Sequence, residues 1–315
     1  MLAARLLRLR AVPVCPITGA RLDALARACL AELAEGIGWS PTAPAGALRD
    51  VLLWPLARRL TQLAAAYDAQ VSARGLPAAS RALLERVGAG VWVAGAEHLP
   101  RAGPLLVAAN HPGLSDALAL FAALERRDLR VVAADRPFLR ALPHLARHLI
   151  YIPADDAGRR DAARAVVAHL RAGGAVLTFP AGQIEPDPAL HPEAHAALAR
   201  WSPSIGVFLR QAPATRVVPA IVSGVLSPRA VRHPLVRLRR QPRDREWLAA
   251  LLQLFVPAYQ RVCVRLALGP PLTLAELAPA GATASAQALA QALVARAQRL
   301  LAAPPADWRP LTTRQ

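Results

Sequence analysis

The hydrophobic and polar positions of the chain follow two different patterns on either side of residue 87. Before it, apolar residues recur at helical spacing, and no convincing strand is found. Prolines and glycines interrupt this pattern. It predicts helices over Leu22–Leu33, Ala47–Ala69 and Ala78–Val87. We therefore expect residues 1–86 to form a helical N-terminal appendage.

Between residues 87 and 278, short apolar runs alternate with helix-length segments. The runs predict strands at Val91–Ala94, Leu105–Ala109, Leu129–Ala134, Leu149–Ile152, Ala175–Phe179, Val217–Val222 and Val262–Leu268. The segments between them predict helices at Ser115–Leu124, Pro137–Arg147, Gly158–Ala172 and Glu246–Tyr259. This alternation predicts an α/β domain with a mostly parallel central sheet covered by helices on both faces. Residues 279–315 are expected to add a helix at Ala286–Leu301 and a loose tail.

The charge balance points to an anionic partner. The 315 residues carry 38 Lys and Arg, all of them Arg, against 21 Asp and Glu, which gives a net charge of +17. Nucleic acid is not the expected partner, because aromatic residues make up only 4% and no nucleic-acid-binding motif is found. The cysteines Cys15, Cys29 and Cys263 form no CxxC pair, so they indicate neither a disulfide framework nor a zinc ribbon.

Peripheral binding to an anionic membrane surface, at its cytoplasmic face, is the expected localisation. Charged residues interrupt every long apolar stretch, so no membrane-spanning helix is predicted. Two segments suit a membrane interface: the apolar and basic stretch Val51–Leu63, and the arginine-rich Arg229–Arg245 followed by Trp247–Tyr259. The alternatives are a helix packed on the next domain and a solvated loop before a core helix.

Candidate catalytic residues follow the predicted strand Leu105–Ala109. The only Asn of the chain, Asn110, precedes His111, and Asp116 lies five residues after that histidine. A turn at Pro112 and Gly113 would bring the carboxylate back onto the imidazole. Such a pair acts as a general base, in which Asp fixes the tautomer of His. Since no GxSxG nucleophile motif is present, the proton would come from a hydroxyl or amine of the substrate.

Further motifs follow in a fixed order: Ile152-Pro153-Ala154-Asp155, then Phe179-Pro180-Ala181-Gly182, then Val218-Pro219-Ala220. Together with Asn-His-x4-Asp, this order resembles the glycerolipid acyltransferase family, the glycerol-3-phosphate and lysophosphatidate acyltransferases, over about residues 90–225. The resemblance implies that His111 is the base and Asp116 its orienting partner. It also implies a lipid acceptor and an acyl thioester donor, on coenzyme A or acyl carrier protein, with no bound cofactor or metal. Backbone amides near Pro112–Ser115 or Gly182 are the expected oxyanion donors.

The chain departs from the family pattern where the acceptor is expected to bind. Ala181 stands in place of a Glu, Gln183-Ile184 in place of Thr-Arg, and Asp156 in place of an Arg. We therefore expect poor use of glycerol-3-phosphate and a preference for another acceptor, such as a lysophospholipid. Glu185 and Asp187 are candidate replacement carboxylates, and Arg136, Arg159 and Arg160 candidate anion-binding residues. The expected substrate-binding residues are Asn110, Gly113, Ser115, Arg136, Phe179, Pro180, Gly182 and Glu185.

Two other functions remain open at this point. The first is a non-catalytic lipid- or anion-binding relative on the same scaffold. The second is a zinc hydrolase, since His191 and His195 have the i, i+4 spacing of zinc ligands on a helix. Glu193 is one position late for a zincin motif, and Pro192 suggests that the helix only begins there. A metal site is therefore not predicted.

Overall fold

A computed structural model describes residues 19–36, 46–113, 115–238, 242–278 and 284–312. The strands are β1 (Gly90–Ala94), β2 (Leu105–Ala109), β3 (Arg130–Ala134), β4 (Leu149–Ile152), β5 (Ala175–Thr178), β6 (Arg216–Ser223), β7 (Cys263–Leu268) and β8 (Arg309–Thr312). The helices are α1 (Ala20–Gly36), α2 (Gly46–Arg74), α3 (Leu76–Arg86), α4 (Asp116–Leu124), α5 (Pro137–Arg140), α6 (Pro143–Ala146), α7 (Asp156–Arg171), α8 (Ala194–Ala197), α9 (Ser204–Gln211), α10 (Pro228–Val231), α11 (Pro234–Arg237), α12 (Pro242–Phe255), α13 (Leu274–Leu277) and α14 (Ala286–Ala302).

The strands form one mixed sheet in the order β4-β3-β5-β2-β6-β7-β1-β8. Strands β4, β3, β5, β2 and β6 run parallel to one another, whereas β7 is antiparallel to β6 and β8 is antiparallel to β1. The predicted mostly parallel α/β fold is therefore confirmed. Because β5, β2 and β6 are parallel neighbours, their carboxyl ends meet at one edge of the sheet.

Both faces of the central strands are buried. Side chains alternate between the faces of a strand, and in β2 Leu106 and Ala108 point one way while Leu105 and Val107 point the other. All four are fully buried. On the Leu106 face the core includes Val166 and Val167 of α7, Phe208 of α9, and Leu289 and Leu293 of α14. Such burial explains why this strand is a continuous apolar run in the sequence.

The chain divides into two compact units, which do not follow the predicted domain limits of 1–86, 87–278 and 279–315. One unit comprises the described residues up to 79 together with 136–146 and 226–261. The other comprises 80–135, 147–225 and the described residues from 262 onward, and it contains the whole sheet. Helix α14 belongs to this sheet unit, where it packs on the core. The N-terminal helices share their unit with two later segments of the chain.

The helices of the first unit partly bury most of the apolar residues that the sequence suggested for membrane contact. Leu53, Trp54, Leu56 and Leu60 of α2 pack with Cys29, Leu30 and Leu33 of α1. Trp247 and Leu251 of α12 join the same cluster, and Leu252 packs with Ala230 and Val236. These side chains are therefore used in packing between helices, as in the alternative to membrane contact given above. None of the described helices combines the length and apolar character needed to cross a bilayer.

Two local predictions were wrong. The helix expected over Pro137–Arg147 is two short helices, α5 and α6, because proline at position 143 lacks the amide that would continue the first. The tail expected to be loose contains β8, which pairs with β1. The Thr312 hydroxyl fixes this strand, since it accepts from Val91 N at 2.8 Å and donates to Ala89 O at 3.0 Å.

Candidate active site

The carboxyl end of β2 leads directly into the loop that carries His111 and Asp116. His111 Nδ1 lies 2.7 Å from Asp116 Oδ2, and the same oxygen accepts from Gly113 N at 2.8 Å. Gly113 has φ of 92°, a left-handed conformation that favours glycine, and this turn folds the chain back on itself. His111 and Asp116, five residues apart, can thus form a hydrogen bond because the turn lies between them, before α4 begins.

Asn110 anchors this loop to the neighbouring strand β6. Its side-chain Nδ2 donates to Val222 O at 2.9 Å, and its Oδ1 accepts from Val222 N at 2.7 Å. The side chain therefore replaces the backbone ladder one residue beyond β2. Asn110 was expected to bind substrate, but it is buried and its amide is used to hold the start of the loop.

The loop after β5 supplies the second wall of the site. Phe179 stacks on the His111 ring with 4.3 Å between ring centroids and 28° between the ring planes. Gly182 N closes a turn by donating to Phe179 O at 3.0 Å, and Pro180 O accepts from Ser202 N at 3.0 Å. The His111 side chain keeps 28% of its surface exposed, so one part of the ring remains accessible between the two loops.

Glu185 joins the two loops. Its Oε2 accepts from His111 N at 2.9 Å, its own N donates to His111 O at 2.8 Å, and its Oε1 accepts from Trp201 Nε1 at 3.1 Å. The side chain is only 2% exposed. Glu185 was expected to bind substrate, but both carboxylate oxygens are occupied by donors of the protein itself.

Asp187 fastens the same loop to the end of β6. Its Oδ1 accepts from Gly224 N and from Ala189 N, and its Oδ2 accepts from Val225 N, at 2.8, 2.9 and 2.8 Å. Asp187 is fully buried. A carboxylate that accepts several backbone amides is a structural anchor, so the loops that follow β5, β2 and β6 are tied together at the edge where these strands end.

The pKa values of the site reflect this crowding of acidic groups around one imidazole. Burial lowers the pKa of His111, but the charge and hydrogen bond of Asp116 and the charge of Glu185 together raise it above its usual value. Burial raises the pKa of Glu185 to about 7, although the His111 and Trp201 donors and the charges of His111 and Arg200 oppose this. An imidazole with a raised pKa is a stronger base once it is neutral.

Most of the other expected site residues lie in the same two loops. Gly113 and Gly182 were expected to donate to an oxyanion, but their amides already donate to Asp116 and Phe179. The buried hydroxyl of Ser115 has no hydrogen-bond partner within the described part of the chain. Arg136 belongs to the other compact unit, at the residue before α5.

The remaining candidates for anion or metal binding are engaged differently. Arg159 pairs with Asp156 and with the carbonyl of Ala154, and it is exposed at the start of α7, as is Arg160. His191 Nδ1 lies 3.4 Å from Glu193 Oε1, and His195 is exposed on α8. Across the described ranges, no group of three or more His, Cys, Asp or Glu side chains could hold a metal ion. The structure therefore offers no support for the zinc alternative.

One comparison with known proteins, to a family model, agrees with the motifs in the sheet unit. The Acyltransferase family model matches residues 90–223, which run from β1 to the end of β6. The crystal structure of the 1-acyl-sn-glycerophosphate (LPA) acyltransferase PlsC from Thermotoga maritima is similar at 14% sequence identity and a TM-score of 0.42. That alignment covers 90% of this chain and 98% of the Thermotoga chain. A search of curated proteins gave no match. The predicted resemblance to acyltransferases is confirmed over the segment that carries the motifs.

Proposed function

Because residues 90–223 form a domain of the acyltransferase family, we propose that the chain moves a fatty acyl group from a thioester donor to a hydroxyl of a lysophospholipid or related glycerolipid. The observation that carries this proposal is the 2.7 Å contact between His111 Nδ1 and Asp116 Oδ2 at the end of β2. The contact engages Nδ1 and leaves Nε2 as the proton acceptor. A non-catalytic relative would have no need to keep a base oriented in this way.

The proposed reaction needs only one base and an oxyanion donor. Nε2 of His111 removes the proton of the acceptor hydroxyl as its oxygen attacks the thioester carbonyl, and Asp116 stabilises the imidazolium. When the tetrahedral intermediate collapses, the C–S bond breaks and the imidazolium returns the proton to the thiolate. Ester and free thiol are the products, and His111 is neutral again. Coenzyme A and acyl carrier protein both fit this role of donor, which is a co-substrate and not a bound cofactor.

Ser115 is the group that we assign to substrate contact. A buried hydroxyl without a partner costs free energy unless a ligand satisfies it, and this one lies next to Asp116 in sequence. Its hydrogen can be donated to the oxyanion, in a loop where the amides of Gly113 and Gly182 are already used. This assignment replaces the backbone donors that the sequence suggested.

The acceptor is proposed from the same region. Gln183 is exposed, and Asp156 is an exposed carboxylate paired with Arg159. Arg159 already binds Asp156 and Ala154 O, so it is poorly placed to bind a phosphate. Phosphate recognition depends on the geometry of the donors as well as on their charge. A zwitterionic or uncharged lyso-lipid is therefore the preferred acceptor. Parallel assays with glycerol-3-phosphate, lysophosphatidate and lysophosphatidylcholine under one acyl donor test this, and preference for glycerol-3-phosphate would contradict it.

Replacement of His111 tests the reaction itself. We expect His111→Ala to lower acyl transfer by at least about 1000-fold while the protein keeps its circular dichroism spectrum, because the base is lost. His195→Ala is the matched control, since His195 is exposed on α8, and it should transfer at the wild-type rate. Lipid mass spectrometry after expression of each variant identifies the product. If the folded His111→Ala variant were as active as an active parent, the non-catalytic alternative would describe the scaffold better.

We also propose peripheral attachment to the anionic, cytoplasmic face of a membrane. In the first unit, Leu235 is 52% and Leu238 77% exposed, and the side chains of Arg229, Arg232 and Arg237 beside them are exposed as well. Exposed leucines among arginines suit insertion into a headgroup region of negative charge. The sequence suggested this same arginine-rich segment, but it assigned the apolar contact to the neighbouring helices, whose apolar side chains are used for packing.

Flotation with liposomes distinguishes the two membrane segments. We expect wild-type protein to float with phosphatidylglycerol vesicles at low salt, less at high salt, and less with phosphatidylcholine vesicles. Leu235→Asp combined with Leu238→Asp should abolish most of this binding. Val51→Asp is the matched control, since Val51 is 70% exposed on α2, and it should have little effect. Equal loss of binding in the Val51→Asp protein would assign the contact to α2.

A further inference from the structure

Glu185 has no part in the proton transfer proposed above, yet its contacts converge on the loop that carries the base. The carboxylate accepts from the main chain of His111 on one oxygen and from the indole of Trp201 on the other. The main chain of Glu185 adds a third bond by donating to His111 O. His111 is therefore held from its backbone by Glu185 and from its ring by Asp116.

The hydrogen bonds of Glu185 favour its ionised form, against the burial that raises its pKa to about 7. Each oxygen of Glu185 faces an N–H donor, so a proton on either oxygen would meet a donor and break one of the two bonds. A glutamine has one carbonyl oxygen and one NH₂ group, and the NH₂ group would face either His111 N or Trp201 Nε1. The two donors can therefore both be satisfied by Glu but not by Gln.

A second carboxylate also anchors this loop. Asp187, two residues further on, fixes the same segment to Gly224 and Val225 at the end of β6. The loop therefore has one fully buried carboxylate that ties it to the sheet and another that ties it to His111. The charged groups acting on Glu185 are His111 and Arg200, and Asp116 also acts on His111.

We propose that Glu185 is a positioning residue for acyl transfer: with Trp201, its carboxylate holds the main chain of His111 so that the imidazole stays aligned with Asp116. Glu185 lies four positions after Ala181, and it is Ala181 that stands where the family pattern has its Glu. This inference rests on the proposed function. Glu185 acts through His111 and does not touch the substrate.

Kinetics of matched variants test the role. We expect Glu185→Gln to lower kcat by about 100-fold with little change in KM, because small displacements of a base are costly and the substrate contacts remain. Trp201→Phe keeps the apolar ring but loses one donor, so kcat should fall by about tenfold. Glu193→Gln removes an exposed carboxylate from the following segment and should match wild type. If Glu185→Gln does not fold, the Trp201→Phe variant decides, and wild-type kcat in that variant overturns the proposal.

The pH profile separates positioning from a purely structural role. In the wild type, protonation of His111 removes the base, and protonation of Glu185 breaks its bond to the loop. A plot of log kcat/KM against pH should therefore have a slope of about two on its acid side. In Glu185→Gln we expect a slope of about one. The pKa of His111, followed by NMR of labelled histidine, should fall in this variant because a nearby negative charge is lost.

Two failures can be distinguished. An active wild type with an equally active Glu185→Gln variant and an unchanged His111 pKa would refute the positioning role alone. A folded wild type with no acyl transfer to any lyso-lipid acceptor would refute the proposed function. A variant with lower thermal stability but unchanged kcat would also refute positioning, since Glu185 would then serve only the fold.

Discussion

The sheet unit holds its charged side chains very differently at its two edges. At the carboxyl ends of the strands, His111 and Asp116 form a hydrogen bond in which the imidazole stays partly exposed. At the amino ends, the buried guanidinium of Arg126 binds Asp128 through two nitrogens and the carbonyls of Pro100, Gly103 and Gly173. We call this second group the Arg126 cluster. Its bonds join the segments that precede β2, β3 and β5.

The difference lies in whether a polar group is left for a ligand. In the Arg126 cluster every nitrogen of the guanidinium has an acceptor, and the pKa of Asp128 is lowered, first of all by its hydrogen bonds from Arg126. At the opposite edge the pKa of His111 is raised, Glu185 is held close to its titration point, and Ser115 keeps a hydroxyl without a partner within the described residues. Saturated charge stabilises a fold, whereas unsatisfied groups with shifted pKa values are typical of a reaction site.

After His111→Ala, the largest expected effect at the carboxyl edge is that of Asp116→Asn. The amide would keep the size of the side chain but lose the charge that fixes the tautomer and stabilises the imidazolium, so kcat/KM should fall by about 1000-fold. Steady-state assays and thermal unfolding of the same preparation measure both quantities. If the variant lost stability but its folded fraction kept wild-type activity, Asp116 would have a structural role like that of Arg126, and the comparison would fail.

The converse expectation applies to Arg126→Met. Loss of the guanidinium leaves three carbonyls and Asp128 without their donor, and the free energy of unfolding should fall by about 3 kcal/mol. For remaining folded protein, kcat should not change. The control is Arg164→Met, an exposed arginine of α7 paired with Asp161, which should change stability by at most about 0.5 kcal/mol. Chemical denaturation curves measure both, and a drop in kcat without a drop in stability would contradict the comparison.

These two edges were not equally readable from the sequence. The spacing of His111 and Asp116 after an apolar strand predicts their contact, because the turn at Gly113 is local. The Arg126 cluster escapes sequence reasoning, since three of the partners of Arg126 are carbonyls far away along the chain, and an arginine in isolation is typical of a solvated surface. Strand β8 was missed for a similar reason. A four-residue edge strand that contains Pro310 has too short a pattern to predict.

Glu185 was identified from the sequence only in part. A carboxylate shortly after Gly182 suggested a replacement for the missing motif residue, but the sequence favoured contact with substrate. Its actual partners, the His111 amide and the Trp201 indole, depend on how the two loops meet, which no local pattern contains. Asp187 and Asn110 are comparable, because each bonds to backbone atoms at the end of β6.

A smaller effect is expected for Ser115→Ala, which should lower kcat without lowering the free energy of unfolding. Removal of a buried hydroxyl without a partner should leave the free energy of unfolding unchanged or slightly raised. If that hydroxyl donates to the oxyanion, kcat should fall by about 10- to 100-fold. Ser204→Ala is a control for the loss of one hydroxyl. Unchanged kcat in Ser115→Ala would remove this residue from the proposed site.

Mild acid should separate the two edges without any mutation. Activity requires a neutral His111 and an ionised Glu185, so kcat/KM should fall as pH falls through the two raised pKa values, by up to about 100-fold per unit below both. The fold should respond in the opposite direction. Glu185 has a pKa of about 7 in the folded state against an ordinary value of 4.5, so the folded chain binds more protons between these values, and its stability should rise as pH falls. His111, with a raised pKa, acts in the same sense.

The Arg126 cluster sets the lower limit of this window. Asp128 has a lowered pKa in the folded state, so its contribution to stability is present above the ordinary value of 3.8 and is lost only as pH falls below it. Near pH 5 the protein should therefore be folded but inactive, and activity should return on raising the pH. Denaturation and activity measured on one sample at pH 5 and pH 8 test this, and unfolding at pH 5 would show that both edges depend on the same charges.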